Sequence, residues 1–232
     1  MTATRSAGTD EGEVERATRI SLRPIASPLP LGFFAFAIGS GMLSLWQFGL
    51  LADTDKRVLF LLLAAFVFPV QLIAGIFAFH GREPVAATAL NLIAFSWPAT
   101  ALITVLSPAA SSRPLVGALD VLIGVVLAML CPVALAGKPL LGAVVLLGSA
   151  RYVLNGVQEF TGSGTVQFAS AVVGGAVLLM GFYGGLALIL EDTKHRTVLP
   201  FPRLGEARRA LQTDLVDQAA SVTREAGVRR QL

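Results

Sequence analysis

Apolar residues along this chain come in six long runs, and polar residues gather in the short breaks between them. The runs cover residues 31–52, 58–79, 84–106, 115–135, 140–157 and 166–190. A helix of roughly 17–25 apolar residues spans a hydrocarbon core about 30 Å thick. The pattern therefore predicts an all-α membrane protein, a bundle of six transmembrane helices. The breaks "DTDK", "HGRE", "SPAASSRP" and "GKP" carry turn chemistry and are too short to be domains. Residues 1–24 mix both charges among Thr, Gly and Ser and are expected to be a disordered tail. The membrane domain is then expected over 25–200, followed by a tail at 201–232. In that tail Leu211, Leu215, Ala219 and Val222 recur at helical spacing, which predicts an amphipathic helix. A cleaved signal peptide is not expected, because the first apolar run is too long and follows a polar stretch.

Composition agrees with the pattern. Of 232 residues, 54% are hydrophobic and 14% charged, and the mean hydropathy is +0.71. A soluble domain of this size has too much surface to be so apolar. The net charge of +3 is small, but its placement is informative. Fourteen of the 18 lysines and arginines fall in the terminal regions and in the second and fourth breaks. Lys56, Arg57 and Arg113 are the basic residues of the opposite breaks, and Arg151 lies within a run. With an even number of spans both ends share a side, and the positive-inside rule puts them in the cytoplasm of an inner-membrane protein. Cys131 stands alone, so no intramolecular disulfide forms. No metal-ligand spacing, phosphate loop or nucleophile–base pair is evident, so neither an enzyme, a metal, a cofactor nor a nucleic-acid partner is expected.

Polar residues inside spans are costly and need partners or a wet path. Gln71, Thr88 and Asn91 lie at similar depth and are candidates for a polar vestibule, with interhelical hydrogen bonding as the alternative. Asp120 sits roughly 7–8 Å below the outer surface at about 1.5 Å per residue, and Arg151 roughly 13 Å below it. An arginine stem spans that difference, so a structural ion pair is expected. The alternative makes Arg151 an anion-attracting pore residue. Small residues at four-residue spacing in the sixth run (Ser170 and Gly174, Ala171 and Gly175, Gly181 and Gly185) predict close helix packing. His80 falls at the end of the second run and reads as a capping residue.

The first run opens on "SPLPLGF". Proline fixes φ and suits the first helical turn, so Pro28 and Pro30 predict a rigid helix entry whose free amides favour an anion. This motif resembles the N-terminal signature of the acetate uptake transporter family (YaaH/SatP type), Asn-Pro-x-Pro-Leu-Gly-Leu, with Pro28, Pro30, Leu31 and Gly32 retained. The stretch "QLIAGIFAFHGREPVAATALNLIAFSW" resembles that family's second and third helices, and "RTVLP" its post-helix-six segment. The resemblance implies a narrow-pore transporter or channel for small monocarboxylates, acetate-like, proton-coupled or anion-selective, without a cofactor. It also implies a homo-oligomer in membrane lipid, a hexamer with one pore per subunit. Phe36 would be the first-helix member of the pore constriction, and Ile93 takes the position of its third-helix aromatic. The substrate path would then comprise Pro28, Pro30, Leu31, Gly32, Phe36, Gln71, Thr88, Asn91 and Ile93. Ala78 replaces a usual glutamate, and Arg82 and Glu83 replace a Gly-Asn pair. These departures motivate a second reading, a non-transporting membrane scaffold or sensor on the same fold.

Overall fold

Each apolar run becomes one helix in the computed structural model, which describes residues 26–106, 113–194, 196–205 and 208. Among the described residues, six helices are long and apolar enough to cross a membrane. They are α1 (Leu29–Gln47), α2 (Asp53–His80, with its opening 3-10 turn), α3 (Pro84–Leu106), α4 (Arg113–Gly137), α5 (Pro139–Thr161) and α6 (Gly164–Lys194). The amphipathic stretch expected beyond Leu211 lies outside the described residues.

The ends of α1 differ from the expected ones for local reasons. Pro30 sits in the first turn, where its missing N–H costs nothing, so the helix starts at Leu29. At the other end Gly49 turns left-handed at φ 77°. Its N–H bonds the Trp46 carbonyl at 2.9 Å, and Leu50 N–H bonds the Leu45 carbonyl at 3.0 Å. This pairing of orphan carbonyls ends the helix five residues before the apolar run does. The same device closes α2, where Glu83 N–H bonds the Ala78 carbonyl at 2.9 Å. There Arg82 holds the left-handed conformation, at φ 58°, that glycine ordinarily supplies.

Proline also shapes α2. Pro69 lacks the N–H that would reach residue 65, and the turn ahead of it widens into a π-turn at Leu63–Val67. Pro98 and Pro132 lie inside α3 and α4 without ending them.

Consecutive helices pack side by side, and α6 returns to lie along α1. The result is a closed ring of helices, with α1 the most deeply buried. Apolar side chains such as Leu122, Met129 and Leu179 point outward, where lipid would cover them. Close approach of α4 and α5 depends on glycine: a Cβ at Gly156 would lie 2.7 Å from the Gly117 carbonyl oxygen. After α6 the chain folds back. Phe201 is buried edge-on against Phe33 at 6.3 Å, and Leu204 N–H bonds the Gly137 carbonyl at 2.8 Å. The compact membrane unit therefore extends past the expected boundary at residue 200.

Gly156→Ala should destabilise the protein by about 1–3 kcal/mol, because backbone oxygen and Val121 both stand in the way. Gly175→Ala meets nothing within 4 Å, and should be neutral or gain up to about 1 kcal/mol from helix propensity. Thermal unfolding in detergent reads both; equal shifts would contradict the packing described.

Candidate functional site

Two cavities enter the ring from opposite ends. The larger, about 570 Å³, opens between Asp53 on α2, Arg113 on α4 and Glu159 on α5. The smaller, about 30 Å³, lies at the other end among Leu29, Ala86, Leu141 and their neighbours. Phe36 borders both.

The lining follows helical periodicity. On α1 the stripe is Leu29, Gly32, Phe33, Phe36, Leu43 and Gln47; on α3 it is Ala86, Ala89, Ile93, Ser96, Thr100 and Thr104. On α5 it runs Leu141, Val144, Val145, Tyr152, Asn155 and Glu159. The α3 stripe advances by three or four residues, those of α1 and α5 by one, three, four or seven, and each stays on one face. Each is apolar in the small cavity and becomes polar in the large one. The change occurs at the level of Phe36, whose ring lies against the backbone of α5: a Cβ at Gly148 would sit 3.2 Å from its Cζ. Just beyond, Tyr152 OH donates to Ser96 Oγ at 2.5 Å, while Ser96 donates to the Ile93 carbonyl at 2.7 Å.

Periodicity also explains which expected residues stand apart. Gln71 is fully buried in the α2–α3 contact, its Oε1 accepting from Trp97 Nε1 at 2.9 Å, and it lines neither cavity. Asn91 turns back on its own helix, donating to the Ala87 carbonyl at 2.8 Å, and packs on Gly75. Thr88 is half-buried on that same off-axis face. The three do not form a common vestibule. Thr88 and Asn91 each lie one position from a lining residue, Ala89 and Leu90, a rotation of about 100° around the helix. Leu31 points outward and is 41% exposed. Pro28 caps the helix, its carbonyl accepting from Gly32 N–H at 3.2 Å, and Pro30 is buried in the first turn. Gly32 borders the small cavity and admits the Leu90 side chain. Ile93 borders the small cavity beside Phe36.

Arg151 and Asp120 both face the large cavity but are not in ion-pair contact with each other among the described residues. Arg151 is 2% exposed. Its Nη1 donates to Ser44 Oγ at 2.8 Å and its Nη2 to Gln47 Oε1 at 3.3 Å. Gln47 Nε2 in turn donates to Asn155 Oδ1 at 2.8 Å, which also accepts from Ser170 Oγ at 2.5 Å. One guanidinium thus ties α1, α5 and α6 together. Space for it comes from Gly174, where any Cβ would collide with Nη1. The expected helical neighbours Ser170 and Gly174 therefore serve this polar network as well as close packing. Ser44, Gln47 and Asn155 were not singled out in the sequence, where their one signal is a polar residue inside an apolar run.

At the mouth, Arg113 Nε lies 3.5 Å from Glu159, and Lys56 Nζ stands 4.7 Å above the Trp46 ring. Trp46 Nε1 donates to Asp53 Oδ1 at 3.1 Å. The opposite end is fastened by an ion pair between Lys138 and Glu83.

This ring of helices has known counterparts. The model of the GPR1/FUN34/yaaH family matches residues 11–205. The chain belongs to that family. Among solved structures, one described as that of the bacterial acetate channel SatP superposes with a TM-score of 0.68 at 20% identity. The match covers 77% of this chain and all of that one, so the family fold is present from end to end. No curated protein sequence matches this one. The GPR1/FUN34/yaaH assignment agrees with the resemblance carried by "SPLPLGF" and the later motifs.

The network predicts a specific coupling. In double-mutant cycles, Arg151→Met with Ser44→Ala should couple by about 1.5–3 kcal/mol, the range for a hydrogen bond to a charged group. Arg151→Met with Asp120→Asn should couple more weakly. Unfolding in detergent measures both, and a larger Asp120 coupling would overturn the assignment of Arg151's partners.

Proposed function

We propose that the six-helix ring conducts a small monocarboxylate, acetate-like, across the cell membrane and moves it without chemical conversion. The observation that carries this reading is the pair of cavities meeting at Phe36 from opposite ends. A solute path needs access from both sides and a narrow place where size is judged. At the wide mouth Lys56, Arg57 and Arg113 outnumber Asp53 and Glu159, a balance that favours anions there. The polar wall beyond them replaces water around a carboxylate. The last stretch past Phe36 is apolar, which favours the methyl end of a short acid or its protonated form and penalises a second charge. SatP, described as an acetate channel, has the same fold and lends the acetate assignment its support.

The basic residues favour an inner-membrane orientation with both termini in the cytoplasm, so the wide mouth would face outward. The outward apolar faces fit a homo-oligomer, a hexamer by family resemblance, with one path in each subunit.

Proteoliposomes loaded with purified protein should take up labelled acetate above empty vesicles and saturate. An imposed inward proton gradient should accelerate net uptake if protons travel with the acid and leave it unchanged if the anion passes alone. Phe36→Ala should keep acetate flux and add severalfold uptake of lactate or succinate. No carboxylate flux in either pH direction would overturn conduction and favour a scaffold or sensor; unchanged selectivity in Phe36→Ala would remove Phe36 from the path.

A further inference from the structure

At about 30 Å³ the narrow chamber holds one or two waters, since each needs roughly 10–15 Å³. Acetate is larger than that, so conduction requires this chamber to widen. Phe33 is one of its walls, and the surroundings of that ring are of two kinds. On one side lies α6, so near that a Cβ at Gly184 would sit 3.2 Å from the ring and one at Gly181 2.9 Å from the Phe33 carbonyl oxygen. Backbone packed this closely gives no room. Against the same ring stands Phe201, buried and edge-on at 6.3 Å between centroids. Phe201 belongs to residues 198–204, the strap that follows α6 and is not itself a helix.

A short set of contacts carries this strap across the narrow end. Tyr183 OH on α6 donates to the Pro200 carbonyl at 2.8 Å. Leu204 N–H bonds the Gly137 carbonyl at 2.8 Å, at a turn whose Lys138 is paired with Glu83 ahead of α3. Between these two points Arg203 lies 5.4 Å above the Phe201 ring, and its Nη1 donates to Glu191 Oε1 on α6 at 2.6 Å. That latch is only half made, because Glu191 Oε2 is buried with no hydrogen-bond partner among the described residues. A buried acceptor left unpaired is costly, and water relieves the cost once it arrives. Lifting the strap therefore hydrates Glu191 and offsets part of what the broken contacts lose. Segments held by few bonds are the ones that open locally while packed helices stay in place. Taking the two chambers as one conduction path, as read above, we propose that residues 198–204 gate its narrow end. Phe201 is a positioning residue that holds Phe33 in the closed wall, and release of Arg203 from Glu191 lets the two rings withdraw and the chamber widen.

Two readouts on the full-length protein in lipid vesicles, both in a Cys131→Ala background, test the gate. The first does not depend on conduction. A small charged thiol reagent added from the Lys138 side should label Ala89→Cys, which lines the narrow chamber, and Arg203→Gln should speed that labelling at least about threefold. Glu191→Gln frees the latch from the α6 side; it should act in the same way, and it serves if Arg203→Gln does not fold. The second readout is reversible closure. Glu191→Cys combined with Arg203→Cys should take up labelled acetate at least as fast as its parent. Bridging the two cysteines with a short bifunctional thiol reagent should cut uptake to a tenth or less, and a reductant should restore it, while the same reagent on either single cysteine has no such effect. Labelling of Ala89→Cys unchanged by both latch variants, or undiminished uptake with the strap bridged, would overturn the proposal. If no form takes up acetate, conduction itself fails and the labelling rates alone decide the gate.

Discussion

The ring of Phe36 lies close against α5 at Gly148. A Cβ there would press to 3.2 Å on the ring edge, closer than a well-packed core tolerates without a shift. That contact divides the interior. On one side the walls are Leu29, Ala86, Leu141 and similar apolar groups; on the other they include Ser96, Thr100, Tyr152 and Asn155. An apolar plug next to a wet, charged cavity gives a barrier that depends on solute size on one side and on charge on the other. Both properties trace to stripes on three helices that keep the same face from one end to the other.

The charged half needs its own support, because a guanidinium inside a membrane span is expensive unless its donors are satisfied. Arg151 is satisfied by Ser44 and Gln47 on α1 and accommodated by Gly174 on α6. The bonds run onward through Asn155 to Ser170. The contacts that hold the charge therefore also hold α1, α5 and α6 in register, and α1 carries Phe36. Positioning of the narrow point and burial of the charge are one structural problem with one solution.

Much of this was legible in the sequence. Run length predicted the spans, and "SPLPLGF" located the start of α1 to within two residues. Phe36 and Ile93 both border the small cavity. Other expectations failed for reasons of angle. Depth along the chain places Gln71, Thr88 and Asn91 together, but depth does not say which way a side chain points. Thr88 and Asn91 are rotated off the cavity face, and Gln71 is spent on Trp97. Matching depth likewise paired Asp120 with Arg151, whereas the bonding partners of Arg151 come from α1, more than a hundred residues away in sequence. Such partners become visible only once α6 brings α1 and α5 together. The end of α1 was misplaced because the helix-ending turn at Gly49 interrupts apolar sequence that hydropathy alone would continue, whereas the polar break "HGRE" located the end of α2 to within one residue.

The central claim is that Phe36 separates two chambers of a single path. Cysteine accessibility tests it most directly, in a background where buried Cys131 is replaced by alanine. Thr100→Cys lies in the wide chamber and Ala89→Cys in the narrow one. A small, charged, membrane-impermeant thiol reagent added from the Asp53 side should label Thr100→Cys and leave Ala89→Cys unmodified. Adding Phe36→Ala should make Ala89→Cys reactive from that same side. Ala89→Cys reacting equally with and without Phe36, or Thr100→Cys failing to react from the Asp53 side at all, would contradict the account.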